Sequence, residues 1–390
     1  FLLLVIFVGT IVTVIFGFTV HADEVKGITY YVDSVNGSDD NAGTSRSEPW
    51  KTLSKVNSIM LLPGDHILFK AGGLWNGQFW PKGSGTPENP IVVDMYGSGD
   101  KPIISGNGTT YPKSSATIML YQTGYFELNN LEITNYSNTV TSMRSGVLIQ
   151  SPGISTNNHI YISDCYVHDV NSDSSLKDKG TGGIIISNTS YDKENIDTGI
   201  IGYFNDVVVE NCKVKTVDVE GIRVAGGGDR LNNDIIIRNN TVDDIAGDGI
   251  VLKNVGSGGI VEGNIISRHC RANWGNLNFA GCWNYNCENA VFQNNEVYGG
   301  VYGYNDGEAF DIDLYNKGTV MQYNYSHNNP GGFCLFMNGS TDSVFRYNIS
   351  ENDGNGNGQE IFHYLPSNST DAPLIYNNTV YVGSGVNTID

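Results

Sequence analysis

Residues 291–298 read VFQNNEVY, and this pattern decides the fold. Apolar residues alternate with polar ones on either side of a central Asn, as expected for two short strands joined by a bend. The pattern recurs from about residue 125 onward. Its other copies are FELNNLEI (126–133), IYISDCYV (160–167), VVVENCKV (207–214), IIIRNNTV (235–242), IVEGNIIS (260–267), VMQYNYSH (320–327), VFRYNISE (344–351) and LIYNNTVY (374–381).

The central Asn recurs every 24 to 31 residues, at positions 211, 240, 264, 295, 324, 348 and 378. Repeats of this length stack so that neighbouring units bury one continuous core. Neither a leucine-rich consensus nor a Trp-Asp signature accompanies them, and the Asn side chains can form a ladder from coil to coil. The sequence therefore predicts an all-β fold, a single-stranded right-handed parallel β-helix.

Three regions are expected. The apolar residues 1–18, followed by Val20-His21-Ala22, predict a signal peptide over 1–22 and hence a secreted, extracellular or cell-surface protein. Residues 23–124 contain PWKTLSKVNSIMLLPGD, whose apolar spacing predicts a short capping helix before the first coils. Residues 125–390 form the β-helix repeats, which break off inside a repeat, so the C-terminal end is expected to be truncated.

The composition and charge of the chain restrict the kinds of molecule that it is expected to bind. The 390 residues include 48 Gly and 22 Tyr but only 22 Lys plus Arg, and the net charge is −19. Nucleic-acid binding rests on Lys and Arg, so it is not expected. We expect a monomer that acts on a polysaccharide and does not bind a membrane after signal cleavage.

The six cysteines show no zinc-ligand spacing. Cys282 and Cys287 could pair in an exported protein, or all six could be buried free thiols; the spacing leaves both alternatives open.

A second type of short strand follows each bend. The first two residues of its copies are mostly small or acidic, and the third is apolar. Its copies are GGIIIS (182–187), EGIRVA (220–225), DGIVLK (248–253), AGCWNY (280–285), EAFDID (308–313), GGFCLF (331–336) and QEIFHY (359–364). In this alignment Ile222, Ile250, Cys282, Phe310, Phe333 and Ile361 face the core. The residues one and three places later then point outward.

The outward positions gather Asp311, Asp313, basic residues and aromatic rings on one face, and the column two places before each core residue adds the acids Glu220, Asp248 and Glu308. Glycoside hydrolysis needs one carboxylic acid and one carboxylate, so the predicted catalytic residues are Asp311, Asp313, Asp248 and Glu308. Repulsion among such acids raises the pKa of at least one. The predicted substrate-binding residues are Trp283, Tyr285, Arg223, Lys253, Glu220, Phe336 and Tyr364.

Two alternatives remain open. A polysaccharide lyase would use Lys253 or Arg223 as base, with Ca²⁺ held by Glu220, Asp248 and Asp311, whereas hydrolysis needs no cofactor. A non-catalytic glycan-binding or adhesin solenoid would need the aromatic rings without the paired acids.

The segments YYVDSVNGSDDNAGT, PWKTL and LLPGD, and later NAVFQNNEVYGG and DGEAFDIDLYNKGTVMQYNYSHNNPGGF, resemble secreted β-helix proteins of the pectate-lyase-like superfamily. The second block is most similar to members grouped with glycoside hydrolase family 141. This resemblance implies a polysaccharide-degrading enzyme of plant cell-wall type. It carries over Asp311 and Asp313, whereas the compact acidic cluster of calcium-dependent lyases is missing near Lys253.

Overall fold

The computed structural model describes residues 27–108, 115–151, 156–173, 175, 179–187, 202–228, 230–272, 277–301, 306–354, 356, 360–365 and 372–383. Within these residues the strands form three long parallel sheets and one two-stranded sheet. The predicted signal peptide, 1–22, lies outside the described residues.

The first sheet runs the length of the described chain. Its twelve described strands are β1 (Thr29–Val32), β3 (His66–Lys70), β6 (Ile91–Tyr96), β9 (Phe126–Asn129), β12 (Thr156–Ser163), β15 (Tyr203–Glu210), β18 (Asn232–Arg238), β21 (Val255–Glu262), β24 (Val291–Gln293), β27 (Val320–Gln322), β30 (Val344–Arg346) and β33 (Leu374–Tyr376).

The second sheet follows the bend that contains the repeated Asn. Its eleven described strands are β4 (Leu74–Asn76), β7 (Ile103–Ser105), β10 (Glu132–Asn135), β13 (Tyr166–Val170), β16 (Lys213–Val217), β19 (Thr241–Ile245), β22 (Ile265–Ser267), β25 (Glu296–Tyr298), β28 (Tyr325–His327), β31 (Ile349–Glu351) and β34 (Thr379–Tyr381).

The third sheet positions the candidate site. Its nine described strands are β8 (Ala116–Tyr121), β11 (Ser145–Gln150), β14 (Gly182–Ser187), β17 (Glu220–Ala225), β20 (Ile250–Lys253), β23 (Cys282–Tyr285), β26 (Phe310–Ile312), β29 (Cys334–Phe336) and β32 (Phe362–Tyr364). Strands β2 (Met60–Leu61) and β5 (Lys82–Gly83) pair separately near the N-terminal end.

From β6 to β32 each coil contributes one strand to each long sheet, so equivalent residues of successive coils lie one above another. In the third sheet, Ile222 pairs with Ile250, Ile250 with Cys282 and Cys282 with Phe310. All four side chains are buried in one core that extends along the helix. Burial of such apolar columns is the main driving force for this fold.

The predicted asparagine ladder is present. The side-chain amide of Asn295 donates to Oδ1 of Asn324 at 3.0 Å and to the carbonyl of Val261 at 2.9 Å. Asn324 bonds Asn348 in the same way. Each of these buried Asn side chains bonds to groups in the coil before it and in the coil after it. Burial of the bends therefore leaves these amides with hydrogen-bond partners.

The N-terminal region includes the predicted short helix, α1 (Leu53–Asn57). The Thr52 hydroxyl accepts from the Lys55 backbone N–H at 3.2 Å, which is an N-cap, and Leu53 and Val56 are buried in the core. No helix in the described part of the chain is long and apolar enough to cross a membrane. All six cysteines are buried free thiols, so Cys282 and Cys287 are not paired.

Candidate functional site

The outward face of the third sheet carries the predicted column of residues. Arg223 pairs with Val251, Val251 with Trp283 and Trp283 with Asp311. As a result Trp283 and Asp311 lie on neighbouring strands and on the same side of the sheet. The alignment made from the sequence is therefore confirmed from β17 to β26.

The alignment is wrong by one residue after β26. Phe310 pairs with Cys334 rather than Phe333, because the turn at Pro330–Gly332 contains one residue more than the alignment allowed. The prediction that Phe336 faces outward is therefore wrong: Phe336 is buried and packs against Phe345. The residues in the outward column are Leu335 and His363, which pair with each other.

Tyr364 is affected by the same shift. It pairs with Phe336 and so lies in the inward column, although in this coil it remains 42% exposed. Its predicted outward position on the site face is therefore wrong.

A cavity of about 140 Å³ lies on this face. It is lined by acidic, aromatic and apolar side chains together with one ammonium group. The lining residues are Lys179, Asp248, Asn278, Phe279, Ala280, Trp283, Asp306, Asp311, Asp313, Leu335, Met337 and Leu365. Of the four predicted catalytic acids, Asp248, Asp311 and Asp313 line the cavity, and Glu308 does not.

Asp248 is fully buried and holds one wall of the cavity. Its Oδ1 accepts from the Trp283 indole Nε1 and from the Ala280 backbone N–H, both at 2.8 Å, and Lys179 Nζ lies 3.3 Å from its Oδ2. Burial raises the pKa of Asp248, while Lys179 opposes this rise. Asp248 is thus anchored to the cavity wall by three donors.

Asp311 is only 5% exposed, and its Oδ1 has no hydrogen-bond partner in the described part of the chain. Burial, followed by the charges of Asp313 and Glu308, raises the pKa of Asp311 well above its usual range. A protonated carboxyl is the stable form of a buried acid in this position.

Asp306 lies in the segment just before β26 and lines the same cavity. Burial, followed by the Glu308 charge, raises the pKa of Asp306 to about 7. An acid with this pKa is partly protonated at neutral pH and can donate a proton.

Asp313 is half-buried and differs in its surroundings. Burial raises its pKa, but the Leu314 backbone N–H, 2.7 Å from Oδ1, and the ammonium groups of Lys253 and Lys179 oppose the rise. These groups favour the ionised form of Asp313.

The predicted basic and aromatic residues form a second cluster beside the cavity. The Lys253 ammonium lies 5.0 Å from the ring centre of Trp283 and 4.4 Å from that of Tyr285. Burial and the nearby Arg223 lower the pKa of Lys253. Glu220, fully buried, accepts from Arg223 and from the Gly180 backbone N–H, so this carboxylate is held by the structure around it.

The sequence reasoning missed three titratable residues at or beside the cavity, Lys179, Asp306 and His363, as well as apolar lining residues such as Phe279. Lys179 and Asp306 lie in loops outside the aligned strands, and no repeat pattern marks them. His363 is not among the residues predicted from the alignment, and the observed register places it in the outward column, with Nδ1 3.2 Å from Oε1 of Glu308. One sequence feature points to Asp306: it is the first residue of the acidic segment DGEAFDID (306–313), in which further acids follow at short intervals.

The calcium set proposed for a lyase is not assembled. Glu220 and Asp248 accept hydrogen bonds from side chains and backbone, which occupy their oxygens. Among the described residues, no group of three or more His, Cys, Asp or Glu side chains is arranged to hold a metal ion.

Residues 93–286 match the family described as "Right handed beta helix region". Together with the three parallel sheets, this makes the chain a right-handed parallel β-helix protein, as predicted. The chain is 32% identical to the lacto-N-biosidase of Bifidobacterium longum subsp. longum over an alignment that covers 92% of this chain and 27% of that protein. It thus spans about a quarter of the length of this curated relative.

Comparison with solved structures also finds similarity to a lacto-N-biosidase. The crystal structure of GH136 lacto-N-biosidase from Eubacterium ramulus superposes with a TM-score of 0.77 and 26% identity, covering 91% of this chain and 68% of that chain. Pectate lyase Pel9A, at 16% identity and a TM-score of 0.54, covers 92% of this chain and 79% of its own and shares the fold. The expected resemblance to β-helix glycoside hydrolases is confirmed, with family 136 in place of family 141.

Proposed function

We propose that the chain is a glycoside hydrolase whose catalytic centre is the cavity on the third sheet. The observation that carries the proposal is that Asp306, with a pKa of about 7, lines the same cavity as Asp313. The similarity to two lacto-N-biosidases supports it.

In this proposal Asp306 is the general acid. Its proton goes to the glycosidic oxygen as the bond between that oxygen and the anomeric carbon breaks. The other carboxylate is Asp313, which two ammonium groups favour in its ionised form. It either attacks the anomeric carbon or takes a proton from the attacking water, and the net reaction adds one water across the bond.

Asp311 lines the same cavity as these two residues. Its buried carboxyl, with Oδ1 free of protein partners in the described residues, is suited to donate a hydrogen bond to a sugar hydroxyl. Trp283 and Phe279 supply flat apolar surfaces against which the C–H face of a sugar ring packs.

The substrate class that we propose is a glycan cleaved as a lacto-N-bioside, by analogy with the relatives. Plant cell-wall polysaccharides, which the sequence resemblance suggested, form the second class to be tested. We also propose that the protein acts outside the cell as a monomer, in line with the apolar N-terminal sequence.

The test is incubation of the protein with a chromogenic lacto-N-bioside and with a panel of cell-wall polysaccharides, with and without a calcium chelator. New reducing ends or released chromophore without absorbance near 235 nm support hydrolysis. A chelator-sensitive rise in that absorbance would establish a lyase instead. Binding without any cleavage would support the glycan-binding alternative.

A further inference from the structure

Glu308 and His363 form a hydrogen-bonded pair next to Gly307, the residue that follows the proposed proton donor Asp306. The Glu308 side chain is fully buried, and its Oε2 accepts from the Gly307 backbone N–H at 3.0 Å. Its Oε1 lies 3.2 Å from Nδ1 of His363, whose side chain is 27% exposed. One carboxylate therefore links the turn after Asp306 to the last described strand of the sheet, β32.

The surroundings leave little freedom for this carboxylate. An added Cβ at Gly332, in the next coil, would lie 3.5 Å from Cγ of Glu308, so backbone packs closely against its side chain. Below the turn, His269 is fully buried with Nε2 3.4 Å from the Gly307 carbonyl. Glu308 is thus fixed relative to the backbone that carries Asp306.

From this geometry we infer that Glu308 is a positioning residue that keeps the proton on Asp306, and that His363 holds Glu308 in place while its own positive charge, when protonated, opposes this effect. The inference rests on the proposed function of Asp306. The charge of Glu308 is the main contribution after burial to the raised pKa of Asp306, and the bond to Glu308 raises the pKa of His363.

Other charged and titratable groups surround the pair and must be kept unchanged in any test. They are Lys179, Asp248, Asp311 and Asp313 around the cavity, His269, Cys270 and Cys334 in the packed layer below, and Glu360 beside β32.

The decisive variant is Glu308→Gln, which keeps the shape of the side chain and removes its charge. Without this charge the pKa of Asp306 falls. Asp306 then gives up its proton, and with it the ability to act as general acid, at a lower pH than in the unmodified protein. The basic limb of the kcat/KM profile should therefore move down by at least about half a pH unit. His363→Gln should move this limb in the opposite direction, to higher pH, because it removes a positive charge that favours the ionised form of Asp306.

His327→Gln is the matched control, since His327 contacts Glu296 at 3.1 Å on the second sheet, away from the cavity. Circular dichroism checks that each variant is folded. A uniform loss of activity with an unmoved basic limb in Glu308→Gln would overturn the inference, as would a basic limb that moves to lower pH in His363→Gln. If Asp306→Asn remains active, the proposed function itself fails, which is a distinguishable result.

Discussion

The indole N–H of Trp283 donates a 2.8 Å hydrogen bond to Oδ1 of Asp248, and neither side chain is more than 5% exposed. Residue 248 comes just before β20, and Trp283 lies on β23, the next strand of the sheet. This contact therefore joins two coils at the cavity wall. It fixes the plane of the ring on which we propose that the sugar packs.

Trp283→Phe tests the importance of this contact. The substitution keeps an aromatic ring but removes a donor from a buried carboxylate, which should lower the free energy of unfolding by about 1–3 kcal/mol. KM should rise, because the ring is no longer held by Asp248. Denaturant unfolding and steady-state kinetics measure the two effects. Trp80→Phe, in the first coils, is the control, and equal effects of the two substitutions would argue against a special role for Trp283.

His269 makes stability depend on pH. Burial lowers its pKa from 6.5 to about 4, so between these values the unfolded chain binds a proton that the folded protein excludes. The contribution of His269 to stability is therefore complete above about pH 6.5 and is lost progressively as the pH falls toward 4. We expect His269→Gln to flatten this part of the curve of unfolding free energy against pH. Parallel curves for the two proteins would contradict the assignment.

The absence of a side chain at Gly300 leaves room for the imidazole ring of His269. A Cβ at this position would lie 2.4 Å from Cε1 of His269, within a packed layer of backbone and side chains. Gly300→Ala should therefore destabilise the protein by more than about 1 kcal/mol, as is usual for overpacking. Thermal unfolding measures the loss. Recovery of stability in Gly300→Ala combined with His269→Ala would support the steric cause, and an unchanged melting temperature in the single variant would exclude it.

Lys253 should affect the acidic limb of the activity profile. Its ammonium opposes the rise in the pKa of Asp313, and the proposed mechanism requires Asp313 to be ionised. Lys253→Met should raise the pKa of Asp313 and move the acidic limb to higher pH by about half a unit. Lys213→Met is the control, because the Lys213 ammonium lies 5.1 Å from the Tyr166 ring centre on the second sheet. A limb that stays in place would remove Lys253 from this role.

The repeated strands could be predicted from the sequence, because alternation and the central Asn are local signals that each coil repeats. Ile222, Ile250, Cys282 and Phe310 lie in one column for this reason. The prediction fails at Gly331, where two adjacent glycines offer two starting points for the strand and only the pairing of Phe310 with Cys334 selects one. A shift of one residue exchanges the two faces of a strand, which is why Phe336 was misplaced and His363 overlooked.

The candidate site could be predicted only where its residues lie on the aligned strands or next to them. Asp248, Trp283, Asp311 and Asp313 were found from the alignment, and all four line the cavity. Lys179 and Asp306 come from loops of variable length, whose positions depend on tertiary packing rather than on a repeat. Burial of Glu308 and Glu220 beneath the surface also has no local sequence signal.

The central claim is that Asp306 and Asp313 together cleave a glycosidic bond. The most direct measurement is kcat/KM of Asp306→Asn and Asp313→Asn on the best substrate of the panel, beside Asp342→Asn as an exposed control on the surface. We expect each cavity variant to lose at least about 100-fold in kcat/KM while melting like the unmodified protein, and the control to keep its activity. Activity of both cavity variants at the level of Asp342→Asn would contradict the account.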